Sequence, residues 1–172
     1  MKNAKLLRFL VRRATTSRLW RAVLNRLLAR VIPFNGPHGF RIASIGDGTI
    51  TVFAPCRKSN YNHIRGIHAC AIATAAEFAA GFLLLTSLEP SRYRLIMAHL
   101  QAEYFYQAKK DITAEARLAA DRLEREIVLP LKSEDAATIS LESLVRDADG
   151  KKVAVVTTTW QVKRWDRVRT KL

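Results

Sequence analysis

The sequence predicts an α+β fold in which one antiparallel sheet packs against a central, buried helix. Three observations support this prediction. Residues 66–88 form an almost unbroken apolar run, which is typical of a helix buried on most of its faces. The segments on either side alternate apolar and polar residues, as half-buried strands do. Two connections, 46–48 and 147–150, contain Asp and Gly in an arrangement that favours hairpin turns.

The first 31 residues are expected to form a basic helical arm. They contain nine Lys or Arg residues and no acid, in a chain whose formal net charge is +14. Apolar side chains recur between the arginines at three- and four-residue spacing, which predicts an amphipathic helix. They are Trp20, Val23, Leu24, Leu27, Leu28 and Val31. Pro33 and Gly36 end the pattern, so we divide the chain into an arm over 1–35 and a second domain over 36–172.

Six strands are predicted in the second domain. Two precede the apolar run, over 40–45 and 49–53, and four follow it, over 93–107, 112–118, 138–146 and 153–162. Residues 121–131 are charged and fit either a helical turn or a strand edge. The expected order is therefore one helix, two strands, the buried helix and four strands.

Glu77 is the only Asp, Glu, Lys or Arg residue in the apolar run, and His68 lies near its start. Burying a lone carboxylate is costly, so its pKa should be raised. Such groups are candidates for chemistry. The structural alternative is a buried partner that neutralises Glu77. The run is long enough to cross a membrane, but its alanines and its central acid favour a helix wrapped by a sheet.

Composition limits the cellular location and the binding partners to be expected of the protein. Cys56 and Cys70 are too few for a disulfide scaffold and no Cys/His cluster has zinc spacing, so we expect no metal and a cytoplasmic location. The arm has three interpretations: it packs on the domain, it lies on an anionic membrane, or it is a mitochondrial targeting segment. The membrane interpretation would make the protein peripheral to a membrane. The arm lacks a nucleic-acid-binding motif, so nucleic acid is not an expected partner.

The segment Asn62-His63-Ile64-Arg65-Gly66-Ile67-His68-Ala69-Cys70, followed by Glu77, resembles the signature of hotdog-fold acyl-CoA thioesterases. It is most similar to the branch that contains phenylacetate-pathway thioesterases and domains of unassigned function. In that branch an Asn precedes a Gly, His-Gly-Gly opens the central helix, and an acid lies nine residues after the His. The resemblance covers residues 38–163. Here Ala69 and Cys70 replace the two glycines.

The resemblance implies a hotdog fold and hydrolysis of acyl-CoA or acyl-carrier-protein thioesters, with coenzyme A as part of the substrate and no separate cofactor. It implies that Glu77 is the general base or nucleophile, and that Asn62 or His68 orients the carbonyl or the water. N–H groups at the helix start would stabilise the oxyanion. The implied substrate-binding positions there are Gly66, Ala69 and Cys70. Basic patches suit both the phosphates of coenzyme A and an acidic carrier protein.

A helix of nine residues turns about 900°, which places His68 and Glu77 on roughly opposite faces. The resemblance implies a two-fold dimer that brings Glu77 of one subunit opposite the Asn62–His68 segment of the other. We therefore expect a homodimer or a dimer of dimers. The non-enzymatic alternative is a thioester-binding protein that has lost turnover, which the loss of glycine at Ala69 and Cys70 would favour.

Overall fold

The computed structural model describes residues 4–168, and its elements follow the predicted order of strands around a central helix. The strands are β1 (Arg41–Gly46), β2 (Thr49–Ala54), β3 (Tyr93–Tyr104), β4 (Ile112–Arg117), β5 (Ala136–Asp147) and β6 (Lys152–Arg164). The helices are α1 (Ala4–Thr16), α2 (Arg18–Val31), α3 (Asn35–His38), α4 (Ala69–Ser87) and α5 (Ala120–Leu123). The α+β class and both predicted hairpins are confirmed.

Every pair of neighbouring strands is antiparallel, in the order β1-β2-β4-β5-β6-β3. The β5–β6 turn is closed by Asp147, whose carboxylate accepts the N–H groups of Asp149 and Lys151 at 3.0 and 2.9 Å. Gly150 in this turn has a φ of 82°, which favours glycine. β1 and β3 are the edges of the sheet, and β3 pairs with β6 on one side. Its other side has no partner strand within the described residues.

Helix α4 forms the core together with the sheet. Ala75, Ala76, Ala79 and Ala80 are fully buried, at 0% exposure, and their small side chains let the strands approach closely. The hydroxyl of Ser143 on β5 donates to the carbonyl of Ala76 at 3.0 Å. Within residues 4–168, α4 is the single helix long and apolar enough to cross a membrane. It packs against β2, β4 and β5, so the predicted sheet-wrapped helix is what the structure contains.

The basic arm consists of two helices, whereas the sequence pattern predicted one. Ser17 separates them because its backbone is extended and its hydroxyl accepts the Trp20 N–H at 3.4 Å, which caps the start of α2. Leu24 and Leu28 of the predicted apolar stripe are buried, but Val23 is exposed. The stripe is therefore only partly used for packing.

Specific contacts hold the arm on the sheet. The side chain of Asn25 accepts the Ile42 N–H at 2.7 Å and donates to the Ile42 carbonyl at 2.9 Å, which ties α2 to β1. Leu7 and Leu10 of α1 are buried. The inner face of the arm therefore packs on the domain, as the first of the three interpretations of the arm states.

Strand β3 ends at Tyr104, three residues before the predicted end at 107. The chain then leaves the sheet and runs to the start of α4. There the carbonyl of Ala108 accepts the Ile67 N–H at 2.8 Å. This departure places the side chains after β3 beside the first turn of the central helix.

The ambiguous segment 121–131 is helical. Helix α5 continues into a π-helical turn over Glu124–Val128, and a 3₁₀ turn follows over Pro130–Lys132. Ile127 is fully buried, whereas Arg122 and Glu126 form a partly exposed ion pair at 2.6 Å. Burial of Ile127 and of Leu131, whose turns both contact β5, explains why so short and charged a segment is ordered.

Candidate functional site

The start of α4 is built around His68. Its backbone is extended, its ring Nδ1 accepts the Cys70 N–H at 3.1 Å, and its carbonyl accepts the N–H groups of Ala71 and Ile72 at 2.9 and 3.1 Å. His68 is thus the N-cap of the helix, a position where a side chain satisfies an otherwise unpaired donor. Among the described residues, the N–H of Ala69 has no hydrogen-bond partner. The positive end of the helix therefore has one N–H free to bind an anionic oxygen.

Asn62 organises the loop that leads into this helix. Its side-chain oxygen accepts the N–H groups of Ile64 and Gly66 at 3.1 and 2.9 Å, and its own N–H donates to the Gly66 carbonyl at 2.8 Å. The loop also contains Arg65 in the left-handed region, with a φ of 59°. The Nδ2 group of Asn62 makes no hydrogen bond within the part of the chain that is described.

Gly66 is required by close packing in this loop. A Cβ atom there would lie 2.8 Å from Nε2 of Gln107 and 3.1 Å from the carbonyl oxygen of Ala108. The same Nε2 atom is buried and has no hydrogen-bond partner. A buried, unpaired donor is unusual in native structures.

The start of α4 and the loop that precedes it border a cavity of about 400 Å³, which we call the amide cavity. Its walls include Asn62, Ala69, Tyr104 and Gln107. The hydroxyl of Tyr104 donates to the Ala69 carbonyl at 3.0 Å, which fixes the end of β3 against the first helical turn. The amide cavity is therefore bordered by Ala69, whose N–H is free among the described residues, and by Asn62 with its side-chain amide, whereas Nε2 of Gln107 is buried. Such N–H donors suit a carbonyl or carboxylate oxygen.

Glu77 faces a different cavity, of about 350 Å³, which we call the acid cavity. Its lining is mainly apolar: Ile32, Phe34, Phe78, Phe82, Leu85, Leu95 and Trp160, together with Asn35, Thr74 and Gly81. Glu77 is half-buried, and it forms no hydrogen bond or salt bridge with any other residue in 4–168. Burial raises the pKa of its carboxyl group above the ordinary value.

Trp160 and Gly81 shape the wall next to the acid. A Cβ atom on Gly81 would lie 2.7 Å from Cη2 of Trp160 and 3.5 Å from Oε1 of Glu77. The indole is held in place because its Nε1–H donates to the Thr158 hydroxyl at 2.9 Å. Glycine at position 81 thus lets the indole approach the helix beside the carboxylate.

A third cavity, of about 210 Å³, lies at the start of α4 and is lined by His38, His68 and Cys70 among others; we call it the histidine cavity. It shares Phe34 and Thr74 with the acid cavity, so the two adjoin. The structure thus places His68 and Cys70 on the side of the helix that leads to Glu77.

The acid and the amide cavity are separated within one chain. Glu77 lies eight residues after Ala69, or about 12 Å along a helix. No residue lines both cavities. The predicted site residues therefore form two groups, with Asn62 and Ala69 at the amide cavity and His68 and Cys70 at the histidine cavity, which adjoins the acid cavity of Glu77.

Sequence reasoning missed Asn60 and Gln107. Asn60 is 2% exposed, donates to the carbonyls of His38 and Pro55 at 2.9 and 2.8 Å, and pairs with the His38 ring at 2.8 Å. Its own carbonyl accepts the His68 N–H at 2.8 Å, so it anchors the start of the central helix. Within the described part of the chain no group of three His, Cys, Asp or Glu side chains is arranged to hold a metal ion.

The sheet wrapped on a capped central helix with one half-buried acid defines the protein as a member of the thioesterase-like hotdog superfamily. Residues 21–162 match the family described as a domain of unknown function, DUF4442, and the chain belongs to that family. No curated protein matches the chain.

Solved structures give the same assignment. A Pseudomonas aeruginosa protein of unknown function, described as a probable thioesterase, is 31% identical; the match covers 81% of this chain and 93% of that chain, with a TM-score of 0.75. A Haemophilus influenzae thioesterase is 16% identical over 82% and 88% of the two chains, with a TM-score of 0.65. A mutant thioesterase from Pseudomonas aeruginosa is 16% identical over 81% and 94%, with a TM-score of 0.65. The two more distant similarities support the fold.

Proposed function

We propose that the protein hydrolyses acyl thioesters, with acyl-CoA or acyl-carrier-protein thioesters as substrates. The observation that carries the proposal is Glu77, a carboxylate in a mainly apolar cavity on the central helix that has no hydrogen-bond or salt-bridge partner in residues 4–168. The similarity to a probable thioesterase at 31% identity supports the reaction class. An apolar cavity beside the acid suits an acyl chain, since burial of methylene groups is favourable by about 0.8 kcal/mol each.

Glu77 is proposed to act as the general base. It removes a proton from water as the water oxygen attacks the thioester carbonyl carbon, and the proton then passes to the thiolate that leaves. Direct attack by the carboxylate, followed by hydrolysis of the anhydride, gives the same products. Burial favours both routes because a raised pKa makes the carboxylate a stronger base.

The amide cavity is proposed to bind the thioester oxygen. The N–H of Ala69 and the side-chain amide of Asn62 would donate to the oxyanion that forms during attack. Cys70 is not assigned this role, because its N–H already donates to the His68 ring. His68 is proposed to position the helix start and thereby the donor at Ala69.

A two-fold dimer is proposed to bring the two halves of the site together. The separation of about 12 Å along α4 keeps Glu77 from the amide cavity of its own chain. The edge strand β3 has one unpaired side within the described residues and exposes Ile96, Met97 and Tyr104. Edge strands of this length are suited to pairing with another copy. Such pairing supports a site made of Glu77 from one subunit and the amide cavity of the other.

Hydrolysis of a chain-length panel of acyl-CoA by the purified protein tests the proposal. Glu77→Gln should lower kcat by about 10²- to 10⁴-fold, the contribution expected of a general base. Glu142→Gln is the matched control, because Glu142 is exposed on β5. Equal turnover in Glu77→Gln and the wild type would contradict the role of the acid. Binding of acyl-CoA without turnover by the wild type would instead favour the non-catalytic alternative.

Subunit mixing tests the shared site. Glu77→Gln and Asn62→Asp homodimers should each be inactive, because each lacks one half of every site. Random exchange should produce mixed dimers with one complete site and recover about a quarter of the wild-type activity. If labelled subunits are seen to exchange but activity does not recover, Glu77 and the amide cavity of a site belong to one chain.

A further inference from the structure

The outward side of the α1–α2 hairpin is strongly cationic. The sequence has no acid before Asp47, whereas these two helices contain eight Lys or Arg residues. Within residues 4–168, only Arg8 of these eight forms a salt bridge, to Glu89 at 2.8 Å. The exposed cations of this face include Lys5, Arg12, Arg13, Arg18, Arg26 and Arg30. Their charge is therefore directed at solvent or at an anionic partner.

The same hairpin exposes an apolar ridge made of Leu6, Phe9, Leu19 and Val23, and the half-buried Trp20 lies within it. The Phe9 and Trp20 rings meet edge to face at 5.5 Å and join the two helices. Leu6 lies one turn before Phe9, and Val23 one turn after Trp20, so helical spacing continues the ridge in both directions. Leu19 is 73% exposed and Phe9 is 47% exposed. A contiguous exposed apolar surface marks an interaction site.

Cations border the ridge directly. The guanidinium of Arg13 lies 5.6 Å from the centre of the Phe9 ring. Arg26 follows Val23 by three residues and Arg30 follows Arg26 by four, so both lie on the helical face that Val23 occupies. Apolar side chains flanked by arginines on one helical surface are the pattern by which interfacial helices bind anionic bilayers.

We propose that the α1–α2 hairpin docks on an anionic membrane surface, with the apolar ridge inserted among the lipid headgroups and the arginines bound to lipid phosphates. A second copy of this face is a poor partner, because its six exposed cations without a salt bridge in residues 4–168 would meet the same six. Nucleic acid would satisfy the charge but leave Leu19 and Phe9 in water. A bilayer satisfies both properties at once.

Co-sedimentation of the full chain with vesicles tests the proposal. The protein should bind phosphatidylcholine vesicles that contain about 30 mol% phosphatidylglycerol, and should bind pure phosphatidylcholine vesicles far more weakly. Raising the salt from about 0.1 M to about 0.5 M should weaken binding, because exposed charges are screened. Equal binding to both kinds of vesicle, or to neither, would overturn the proposal.

Two variants separate the charges from the ridge. Arg26→Glu with Arg30→Glu should weaken binding to anionic vesicles by at least about 30-fold. Leu19→Ser with Val23→Ser should weaken it by about tenfold without changing the net charge. All four positions are exposed, so circular dichroism should show intact folds. If a double variant fails to fold, the single variants Arg26→Glu and Leu19→Ser apply the same tests.

The matched control is Lys58→Glu with Lys132→Glu, two exposed lysines outside the hairpin. Each charge-reversed pair removes two cations and adds two acids, so the formal charge falls from +14 to +10 in both. The control should retain wild-type vesicle binding. Equal loss in both pairs would assign binding to overall charge and overturn docking by the hairpin. Unchanged vesicle binding in the Leu19→Ser, Val23→Ser variant would also overturn it.

Discussion

Glu77→Gln should make the folded protein more stable at neutral pH while it removes activity. Glutamine has nearly the same shape as glutamate but carries no charge. The carboxylate of Glu77 is half-buried in a mainly apolar cavity, and no side chain in residues 4–168 is hydrogen-bonded to it. Leaving a charged group partly desolvated and unpaired costs about 1–3 kcal/mol, and its partial exposure favours the lower end. We therefore expect a gain of about 1 kcal/mol, or about 2–4 °C in Tm.

The gain should depend on pH with a definite sign. Burial raises the pKa of Glu77 in the folded protein above the ordinary value of 4.5. At pH values between 4.5 and this raised pKa, the folded protein therefore binds more protons than the unfolded chain. Stability is therefore lost as the pH rises through this window, and the loss is complete above the folded pKa. Glutamine does not titrate, so the advantage of the variant should be full at pH values above the window. It should disappear as the pH falls below 4.5.

Denaturant unfolding at one protein concentration measures this effect, with Glu142→Gln as the control. The difference between Glu77→Gln and the wild type should shrink as the pH is lowered, whereas the control should show no such trend. A destabilised Glu77→Gln variant above the window would refute the reasoning, because it would mean that the carboxylate holds the structure together. A gain of equal size at every pH would also refute it, because desolvation of a titrating charge could not be its cause.

Three further predictions follow from the geometry. The kcat/KM of hydrolysis should fall as the pH drops through the raised pKa of Glu77, so its acid limb should lie above 4.5 in a pH–rate profile. Gly81→Ala should reduce the free energy of unfolding by about 1–3 kcal/mol, because its Cβ would lie 2.7 Å from Trp160; an unchanged value in denaturant unfolding would show that the indole moves freely. Asn60→Ala should cost about 2–3 kcal/mol in the same measurement, since it leaves the buried groups around His38 unpaired; a loss below the measurement error would show that water replaces the amide.

The sheet and the central helix were predictable because their patterns are local. Asp47-Gly48 joins β1 to β2, and Gly48 has the positive φ of 59° that such turns require. The alanine-rich run forms the buried helix because small side chains admit close strands. The break at Ser17 was missed because apolar and basic residues continue across it at helical spacing. Its cue was a serine that satisfies the N–H of Trp20, which composition does not distinguish from an ordinary surface serine.

The candidate site was predictable only in part. Glu77 could be predicted as a site residue because few purely structural roles account for a single acid in an apolar run. Gln107 and Asn60 could not be predicted, because both lie in polar stretches and their contacts are with residues distant in the sequence. Gln107 packs against Gly66, and Asn60 is hydrogen-bonded to His38. Long-range contacts of this kind leave no periodic signal in the chain. The roles of Asn62 and Glu77 in catalysis stay predictions until the variants are assayed.

The replacement of two glycines by Ala69 and Cys70 need not abolish an oxyanion site. Neither residue has a positive φ, so the backbone at the helix start does not require glycine. The donor is a main-chain N–H, which alanine supplies as well as glycine does, and the N–H of Ala69 is free within the described residues. Ala69 lines the amide cavity, and alanine differs from glycine there by one methyl group. For the thioesterase reaction that we propose, we therefore expect the substitution to alter which thioesters fit rather than to remove the donor.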